Sequence, residues 1–341
     1  MTEKHQKTAL IIGATGGIGG AVTRALAVRG WKIRALNRNP GAAARAHAAL
    51  GPVEWIEGDA MNPADVITAA EGASLIFHGA NPPGYRNWKG LALPMLESTI
   101  AAAKASGAMI AFPGTVYNFG PDAGAFLAED APQNPTTRKG RIRVQMEKRL
   151  AEAAEEGTQV LIVRAGDFLG GLGGNNWFGT GVVKPGRKLR RVVYPGKSDV
   201  GHDWAYLPDL AETFARLVER REDLAPFERF HFEGYWFERG IELAEATRRA
   251  AGNERLPIRG FPWWAVYLAS PVVEMFREML EMRYLWRKPL HLDNGKLTAF
   301  LGEEPRTPVE KALRDSLIEL GCLPRKKTVA LSAPKSEAAT A

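Results

Sequence analysis

The sequence is poor in cysteine and contains no long apolar run. Its one cysteine, Cys322, has no partner for an internal disulfide, so a disulfide-stabilised scaffold is excluded and nothing indicates an oxidising compartment. A polar start precedes an apolar stretch of only five residues, and no run approaches the roughly 20 residues that cross a bilayer. We therefore expect a soluble cytoplasmic protein that does not insert stably into a membrane.

A concentrated charge of one sign is also missing. The 341 residues include 45 Lys and Arg against 38 Asp and Glu, and the four cations and one acid of residues 324–341 supply three of the seven net positive charges. Nucleic-acid binding requires a concentrated basic face, so we expect no nucleic-acid partner. The histidines are scattered and not paired at ligand spacing, so no metal site is predicted.

Short apolar strands alternate with helical segments through the first half of the chain. Strands are predicted at residues 8–12, 31–36, 53–57, 73–78, 108–113 and 158–163. Helices are predicted at residues 17–29, 41–50, 63–71, 88–106 and 137–156. This alternation is typical of parallel strands joined by helical crossovers. The predicted fold class is α/β, a Rossmann-type doubly wound parallel sheet with a smaller mixed C-terminal lobe.

A glycine-rich turn at residues 13–19 follows the first strand and opens the first helix. Gly13 is expected to make the tight turn, Gly16 to let the backbone approach a pyrophosphate, and Gly19 to allow close packing of the helix on the strand. The helix N-terminus would then present free N–H groups to the anion. The residues predicted to bind a dinucleotide here are Gly13, Thr15, Gly16, Gly17, Ile18 and Gly19. The alternative is a purely structural turn.

The end of the second strand indicates which dinucleotide is bound. An NAD site usually carries an acidic residue there, which holds the ribose hydroxyls. This chain has Asn37 and Arg38 instead. Because no carboxylate repels a 2′-phosphate and an arginine can pair with it, NADP(H) is predicted in preference to NAD(H). The alternative is that Arg38 is a solvated surface charge.

The pattern changes after Arg164. A glycine-rich segment, an aromatic strand at 227–232 and helices at 208–220, 241–251, 263–287 and 309–320 are predicted. We expect residues 1–165 with 202–220 to form the dinucleotide-binding domain and residues 166–201 with 221–322 to form the substrate lobe. Residues 323–341 are small and polar and are predicted to be a disordered tail.

Seven short motifs occur in order along the chain. They are GATGGIG at 13–19, GD at 58–59, IFHGA at 76–80, VY at 116–117, EDAPQNP at 129–135, RAGDFLG at 164–170 and DWAYLPD at 203–209. In these motifs the chain resembles the extended short-chain dehydrogenases/reductases, which include nucleotide-sugar epimerases and dehydratases. The resemblance runs from about residue 8 to 320. It implies that Asp59, with Ala60, lies near the adenine, that Ala80, with Gly79, lies near the nicotinamide ribose, and that helices 88–106 and 137–156 form a homodimer.

The family's Tyr and Lys, four residues apart on one helix, are both replaced in this chain. With residues 134–137 and Glu147 setting the register, Lys139 occupies the Tyr position and Arg143 the Lys position. Thr115 is the hydroxyl nearest to the family's Ser or Thr position. Tyr117, at the carboxyl end of the fifth strand, is a second candidate proton donor.

The cations around Lys139 crowd a helix N-terminus, where the helix dipole disfavours positive charge. An anion, such as a cofactor phosphate or an acidic substrate, would compensate them. Clustered cations and burial would lower the pKa of Lys139 toward the range useful for general acid–base catalysis, with Arg143 holding cofactor or substrate. The alternative is a solvated basic patch in which Arg143 pairs with Glu147.

Two further segments bear on the substrate. Residues 182–197 carry six cations and no acid, and the resemblance places a diphosphate there, so Arg187 and Arg191 are predicted to bind an anionic substrate. An exposed edge strand protected by charge is the alternative.

The aromatic and Met residues between 261 and 286 are predicted to pack in the core of the smaller lobe, with an apolar substrate lid or an interfacial membrane contact as alternatives. The resemblance also places Asp167 and His202 at the cleft, and Asn81 is predicted to contact substrate.

These features predict NADP(H)-linked hydride transfer on a carbonyl or alcohol of a small metabolite, with a sugar derivative as one candidate. The protein would then be an oxidoreductase or epimerase-like enzyme. The alternative is a sensor or scaffold that binds NADP(H) without catalysis.

Overall fold

The computed structural model describes residues 6–82, 87–171 and 176–324 of the chain. The strands are β1 (Thr8–Ile12), β2 (Lys32–Asn37), β3 (Glu54–Glu57), β4 (Leu75–His78), β5 (Met109–Thr115), β6 (Phe126–Leu127), β7 (Val160–Ala165), β8 (Asp167–Leu169), β9 (Val192–Tyr194), β10 (His202–Tyr206), β11 (Phe227–Phe232), β12 (Tyr235–Phe237), β13 (Ile258–Gly260) and β14 (His291–Leu292). The α-helices are α1 (Gly17–Val28), α2 (Pro40–Ala46), α3 (Pro63–Ala70), α4 (Trp88–Ser106), α5 (Arg138–Glu155), α6 (Leu207–Glu219), α7 (Ile241–Ala250), α8 (Trp263–Ala269), α9 (Glu274–Glu281), α10 (Gly295–Leu301) and α11 (Val309–Glu319).

Seven parallel strands form the main sheet in the order β11-β7-β5-β4-β1-β2-β3. Helices α1, α6 and α10 pack on one face, and α3, α4 and α5 pack on the other. The strand order reverses between β1 and β4, and ligands bind at the carboxyl side of such a reversal in open sheets. The predicted α/β class and doubly wound parallel sheet are confirmed.

Strand β1 shows why the sequence forms this sheet. All five of its residues are buried, and the four that follow Thr8 alternate between the two cores. Ala9 and Ile11 belong to the core under α1 and α6, whereas Leu10 and Ile12 belong to the core under α3, α4 and α5. A strand covered on both faces needs apolar side chains at every position, which explains the uninterrupted apolar run.

A smaller lobe has a core of its own. It contains the sheets β12-β10-β8 and β13-β9, with α7 and α11 packed against them. The predicted domain bounds differ at two strands. Strand β11 pairs with β7 as the edge strand of the main sheet, although residues 221–322 were assigned to the lobe. Strand β10 pairs with β8 and β12 in the lobe, although residues 202–220 were assigned to the dinucleotide-binding domain. Of the predicted tail, Leu323 packs against the lobe core, and residues 325–341 lie outside the described residues.

The single helix predicted at residues 263–287 is wrong, because the chain forms α8, then α9, then a 3₁₀ turn at Arg283–Trp286. Pro271 lies two residues after the end of α8, and proline has no N–H to continue a helix. In the described ranges, no helix combines the length and apolar character needed to span a membrane.

Candidate active site

The glycine turn lies at the reversal point of the main sheet. Gly13 has a φ of +93°, and a Cβ there would lie 2.7 Å from the carbonyl carbon of Gly79, which follows β4. A Cβ at Gly19 would lie 2.2 Å from the carbonyl oxygen of Gly13. Gly16, the N-cap of α1, is extended and carries no side chain that could cap the helix. The turn therefore leaves the first N–H groups of α1 open to an anion, so these residues fit the pyrophosphate of a dinucleotide.

The end of β2 carries the residues predicted to select the dinucleotide. Arg38 is exposed, and no ion pair joins it to a carboxylate elsewhere in residues 6–82, 87–171 and 176–324. The side-chain oxygen of Asn37 accepts a hydrogen bond from the N–H of Asn39 at 2.8 Å. Asp59 and Ala60 are half-buried, and the Asp59 carboxylate accepts the N–H of Met61 at 2.9 Å. The cofactor roles of these residues stay predictions.

A cavity of about 320 Å³ opens at the carboxyl edge of the sheet. Its polar wall brings together predicted site residues from five separate parts of the chain. These residues are Ile18, Gly79, Ala80, Asn81, Thr115, Tyr117, Lys139, Arg143 and Asp167. The sequence analysis missed other polar lining residues, which include His78, Asn176, Thr180 and Glu278. His78 ends β4 next to the glycine turn, so its position could have been inferred, whereas nothing in the sequence connects Glu278 with the sheet.

The other wall of the cavity is apolar. It is lined by Trp88, Phe168, Trp177, Phe261, Met275, Phe276, Met279 and Met282. The expectation that the aromatic and Met segment packs in the lobe core holds for Trp286, which is buried there. It is wrong for Met275, Phe276 and Met279, which lie over the cavity. We refer to residues 261–282 as the lid.

Lys139 is buried and paired with the lid. Only 2% of Lys139 and 8% of Glu278 are exposed, and Nζ lies 2.8 Å from Oε2 of Glu278. The other carboxylate oxygen of Glu278 accepts from Arg138 at 2.8 Å, and Glu281 accepts from the Arg138 backbone N–H. Helix α9 therefore supplies the carboxylates that compensate Arg138 and Lys139, and the alternative that places Lys139 in a solvated basic patch is wrong.

The pKa of Lys139 is lowered from its usual value, as the sequence predicted. Burial is the largest cause, because it disfavours the charged ammonium. The hydrogen bond and charge of Glu278 oppose this change and raise the pKa. Lys139 is thus a lysine near the cavity whose proton is held less tightly than that of an exposed lysine.

Arg143 lies one turn further along α5 and is also buried. Its Nη2 donates to Oδ1 of Asn81 at 2.9 Å, and its guanidinium lies 5.2 Å from the ring centroid of Trp88. The alternative pairing of Arg143 with Glu147 is wrong, because Glu147 accepts from Arg164 at 2.7 Å.

The ion pair of Glu147 and Arg164 lies behind the cavity and holds the end of β5. Arg164 donates to the carbonyl of Thr115, and Asn118 donates to Glu147 at 2.9 Å. The hydroxyl of Thr115 accepts the N–H of Tyr117 at 3.3 Å. Thr115 and Tyr117 therefore have fixed positions at the cavity, while their catalytic roles stay predictions.

Asp167 and His202 form a second pair at the cavity. The ring Nε2 of His202 lies 2.8 Å from Oδ2 of Asp167, and the ring stacks on Trp286 with centroids 4.1 Å apart. Asp167 lines the cavity, and His202 lies behind it. Arg187 and Arg191 are exposed and do not line the cavity. Within the described part of the chain, no three His, Cys, Asp or Glu side chains are grouped to hold a metal ion.

The sheet, the glycine turn and the cavity at the strand reversal define a dinucleotide-binding α/β enzyme. A model of the NAD dependent epimerase/dehydratase family matches residues 9–231. The chain belongs to this family, which confirms the resemblance to the extended short-chain dehydrogenases/reductases and makes a nicotinamide dinucleotide its cofactor. No curated protein sequence gives a significant match.

Solved structures with the same fold include sugar-nucleotide epimerases. The UDP-glucose 4-epimerase of Stenotrophomonas maltophila, solved with NAD and formylated UDP-arabinopyranose, has 15% identity and a TM-score of 0.73 over 93% of this chain and 98% of that one. The UDP-glucose 4-epimerase of Brucella ovis, in complex with NAD, has 16% identity and a TM-score of 0.72 over 92% and 98%. A nucleoside-diphosphate-sugar epimerase of Pseudomonas aeruginosa has 19% identity and a TM-score of 0.67 over 92% and 96%.

Proposed function

We propose that this protein is an NADP(H)-dependent enzyme that transfers hydride to or from a carbonyl or secondary alcohol of a small metabolite with a largely apolar body. One observation carries the proposal: buried Lys139, whose pKa is lowered, lines the same cavity as the strand ends beside the glycine turn. The apolar lid wall favours a substrate that is apolar beyond its reacting oxygen.

The dinucleotide would be held by residues of the sheet edge. Gly13, Gly16 and Gly19 shape the turn that faces the pyrophosphate, and Gly79 and Ala80 lie beside the cavity where the nicotinamide ribose is expected. Arg38 would pair with the 2′-phosphate. When bound, the nicotinamide supplies or accepts the hydride.

Lys139 would handle the proton. In carbonyl reduction its ammonium donates a proton to the substrate oxygen as that oxygen gains negative charge, and in alcohol oxidation its neutral amine removes the proton. Glu278, within 2.8 Å, orients the ammonium and favours the protonated form of Lys139. Arg143, fixed by Asn81 and Trp88, would hold the substrate or the cofactor beside it.

Titration calorimetry with NADP⁺, NADPH, NAD⁺ and NADH tests the cofactor. We expect the phosphorylated dinucleotides to bind more tightly, and Arg38→Ala to remove about 1.5–3 kcal/mol of that advantage. Lys32→Ala, at the opposite end of the same strand, is the matched control and leaves all four affinities unchanged. Equal binding of NAD(H) and NADP(H) by the unaltered protein would contradict the predicted preference.

A screen of ketones and secondary alcohols with NADPH or NADP⁺ tests turnover. Oxidation of NADPH that depends on both the carbonyl compound and Lys139 supports the enzyme. Tight dinucleotide binding without turnover on any carbonyl compound would favour the sensor or scaffold instead.

A further inference from the structure

The lid contains a helix that is apolar on every side. Helix α8 consists of seven residues with the sequence WWAVYLA. Such a helix is normally buried. Here Val266 is buried, whereas Trp264, Tyr267 and Leu268 are 71%, 55% and 75% exposed. Because these three residues follow the i, i+3, i+4 spacing, they share one face of the helix, and that face points to solvent.

Exposed apolar side chains are concentrated in the lid. In the described chain, seven large apolar side chains are exposed, and five of them lie between residues 264 and 275. These five are Trp264, Tyr267, Leu268, Val272 and Met275. A concentration of exposed apolar side chains of this kind marks a surface that a partner covers.

Arginines stand among these apolar side chains. Nη1 of Arg277 donates to the carbonyl of Pro271 at 3.1 Å, which holds the cation at the corner between α8 and α9. The guanidinium of Arg283 lies 5.0 Å from the ring centroid of Trp263 and 5.4 Å from that of Tyr267. Arg259 is exposed on β13, two residues before the lid begins. Glu274 is exposed at the start of α9 and is the acidic residue closest in sequence to the exposed apolar side chains of the lid.

A cationic segment adjoins this surface. Strand β13 pairs in parallel with β9, which lies inside the stretch of six cations at residues 182–197. Arg187, Arg190 and Arg191 in this stretch are exposed and do not line the cavity. The positive charge of this segment is therefore directed outward beside the lid and not toward a ligand in the cavity.

We propose that the lid and the adjoining cations form a surface that docks on an anionic phospholipid bilayer. Trp264, Tyr267 and Leu268 enter the interfacial region, where aromatic rings with one polar edge are favoured. Arg259, Arg277 and Arg283 bind headgroup phosphates. Helix α8 is only about 10 Å long at 1.5 Å per residue, so it lies in the interface and does not cross the bilayer.

The arginines favour a bilayer over a second copy of this chain. In a two-fold dimer the same patch faces itself, so these arginines would meet the partner's arginines across an apolar interface. The phosphates of an anionic bilayer instead carry the opposite charge and can pair with these arginines while the apolar side chains enter the interfacial region. Met275 is both half-exposed and part of the cavity wall, so the docked lid would place the cavity opening against the lipid.

Co-sedimentation of the full chain with sucrose-loaded vesicles tests the proposal. We expect binding to vesicles of phosphatidylcholine with phosphatidylglycerol, and at least about tenfold weaker binding to phosphatidylcholine alone. Leu268→Glu should weaken binding at least about tenfold. Val28→Glu is the matched control, because Val28 is an 87% exposed apolar residue on α1, far from the lid in sequence, and it should bind like the unaltered protein.

Charge and depth are tested separately. Arg259→Glu should weaken binding at least about tenfold, whereas Lys148→Glu, with the same change of charge on the exposed face of α5, should not. Brominated phosphatidylcholine mixed with phosphatidylglycerol should quench tryptophan fluorescence, and Trp264→Phe should remove most of that quenching.

Three results would overturn the proposal. They are no binding to anionic vesicles, equal losses for Leu268→Glu and Val28→Glu, and a dimer seen by light scattering that Leu268→Glu dissociates while vesicles stay unbound. All these measurements are made without dinucleotide or substrate. A negative result would therefore overturn membrane docking and leave the proposed enzymatic function unaffected. Likewise, absence of turnover would leave the docking proposal unaffected.

Discussion

Nζ of Lys139, in the first turn of α5, lies 2.8 Å from the carboxylate of Glu278 on the lid helix α9. Both side chains are buried, so this pair connects the sheet domain to the lid at the cavity. It combines two effects, because it stabilises the position of the lid and it sets how tightly Lys139 holds its proton.

Replacement of Glu278 by Gln should move the pH profile of turnover. The carboxylate raises the pKa of Lys139, so its loss lowers that pKa further. Carbonyl reduction needs the protonated lysine, and the alkaline limb of kcat/KM should therefore move to lower pH. Glu274→Gln, on the exposed start of α9, is the control and should leave the profile in place. An alkaline limb that stays put in Glu278→Gln would separate Lys139 from the proton transfer.

Replacement of Lys139 by Met should abolish turnover and retain dinucleotide binding. We expect a loss of about 100-fold or more in kcat, and roughly 3 kcal/mol of unfolding free energy, because buried Glu278 would lose its buried cation and keep only the largely exposed Arg138. The double variant Lys139→Met with Glu278→Gln removes both charges and should regain most of that stability without regaining activity. Urea unfolding measures the stability of each variant, and steady-state assays measure its activity. Activity in the double variant would contradict the role of Lys139 in proton transfer.

Burial of His78 should make stability depend on pH. Burial, helped by the charge of Arg143, lowers the pKa of His78 to about 3. The unfolded chain then binds the proton near pH 6.5 and the folded chain does not, so this stabilisation is complete above pH 6.5 and is lost as the pH falls toward 3. Lowering the pH from 7 to 5 should therefore reduce the unfolding free energy by about 2 kcal/mol, because folded His78 stays neutral while the unfolded chain takes up the proton.

Urea titrations of His78→Gln at these two pH values check this expectation, and the variant should lose less stability on acidification by about that amount. Thr99→Val is the control, because it removes the hydroxyl 2.7 Å from Nδ1 of His78 and keeps the buried ring. It should retain the pH dependence of the unaltered protein. The same dependence in His78→Gln would refute the assignment to His78.

Replacement of Gly19 by Ala should disrupt the glycine turn. The new Cβ would lie 2.2 Å from the carbonyl oxygen of Gly13, so α1 must move away from the end of β1. We expect a loss of about 2 kcal/mol in unfolding free energy and at least tenfold weaker dinucleotide binding. Gly260→Ala is the control, because a Cβ there meets open space. Unchanged binding by Gly19→Ala in calorimetry would exclude the turn as the dinucleotide site.

The sequence by itself determined the main sheet and its glycine turn. Both depend on local patterns: β1 was predicted with its observed bounds because residues 9–12 form an apolar run that ends at Gly13, and α4 because its helical pattern begins at Trp88 and ends before Gly107. The turn at residues 13–19 was predicted because its glycines have the dinucleotide-binding spacing between an apolar strand and a helix. The structure adds the reason for Gly13, because its φ of +93° and its close approach to Gly79 exclude other residues. The bounds of α8 and α9 were missed, although Pro271 was visible in the sequence.

Only the tertiary structure decided the environment of Lys139 and the place of the lid. The charge pattern of α5 indicated that an anion must compensate its cations, but a carboxylate from a distant helix leaves no local pattern that would identify Glu278. Burial of Lys139 depends on α9 packing over it, and the aromatic and Met residues of the lid have the same helical spacing whether they fill a core or line a cavity. Whether these side chains fill a core or line a cavity depends on the elements that face them, and those elements come together only in the folded chain.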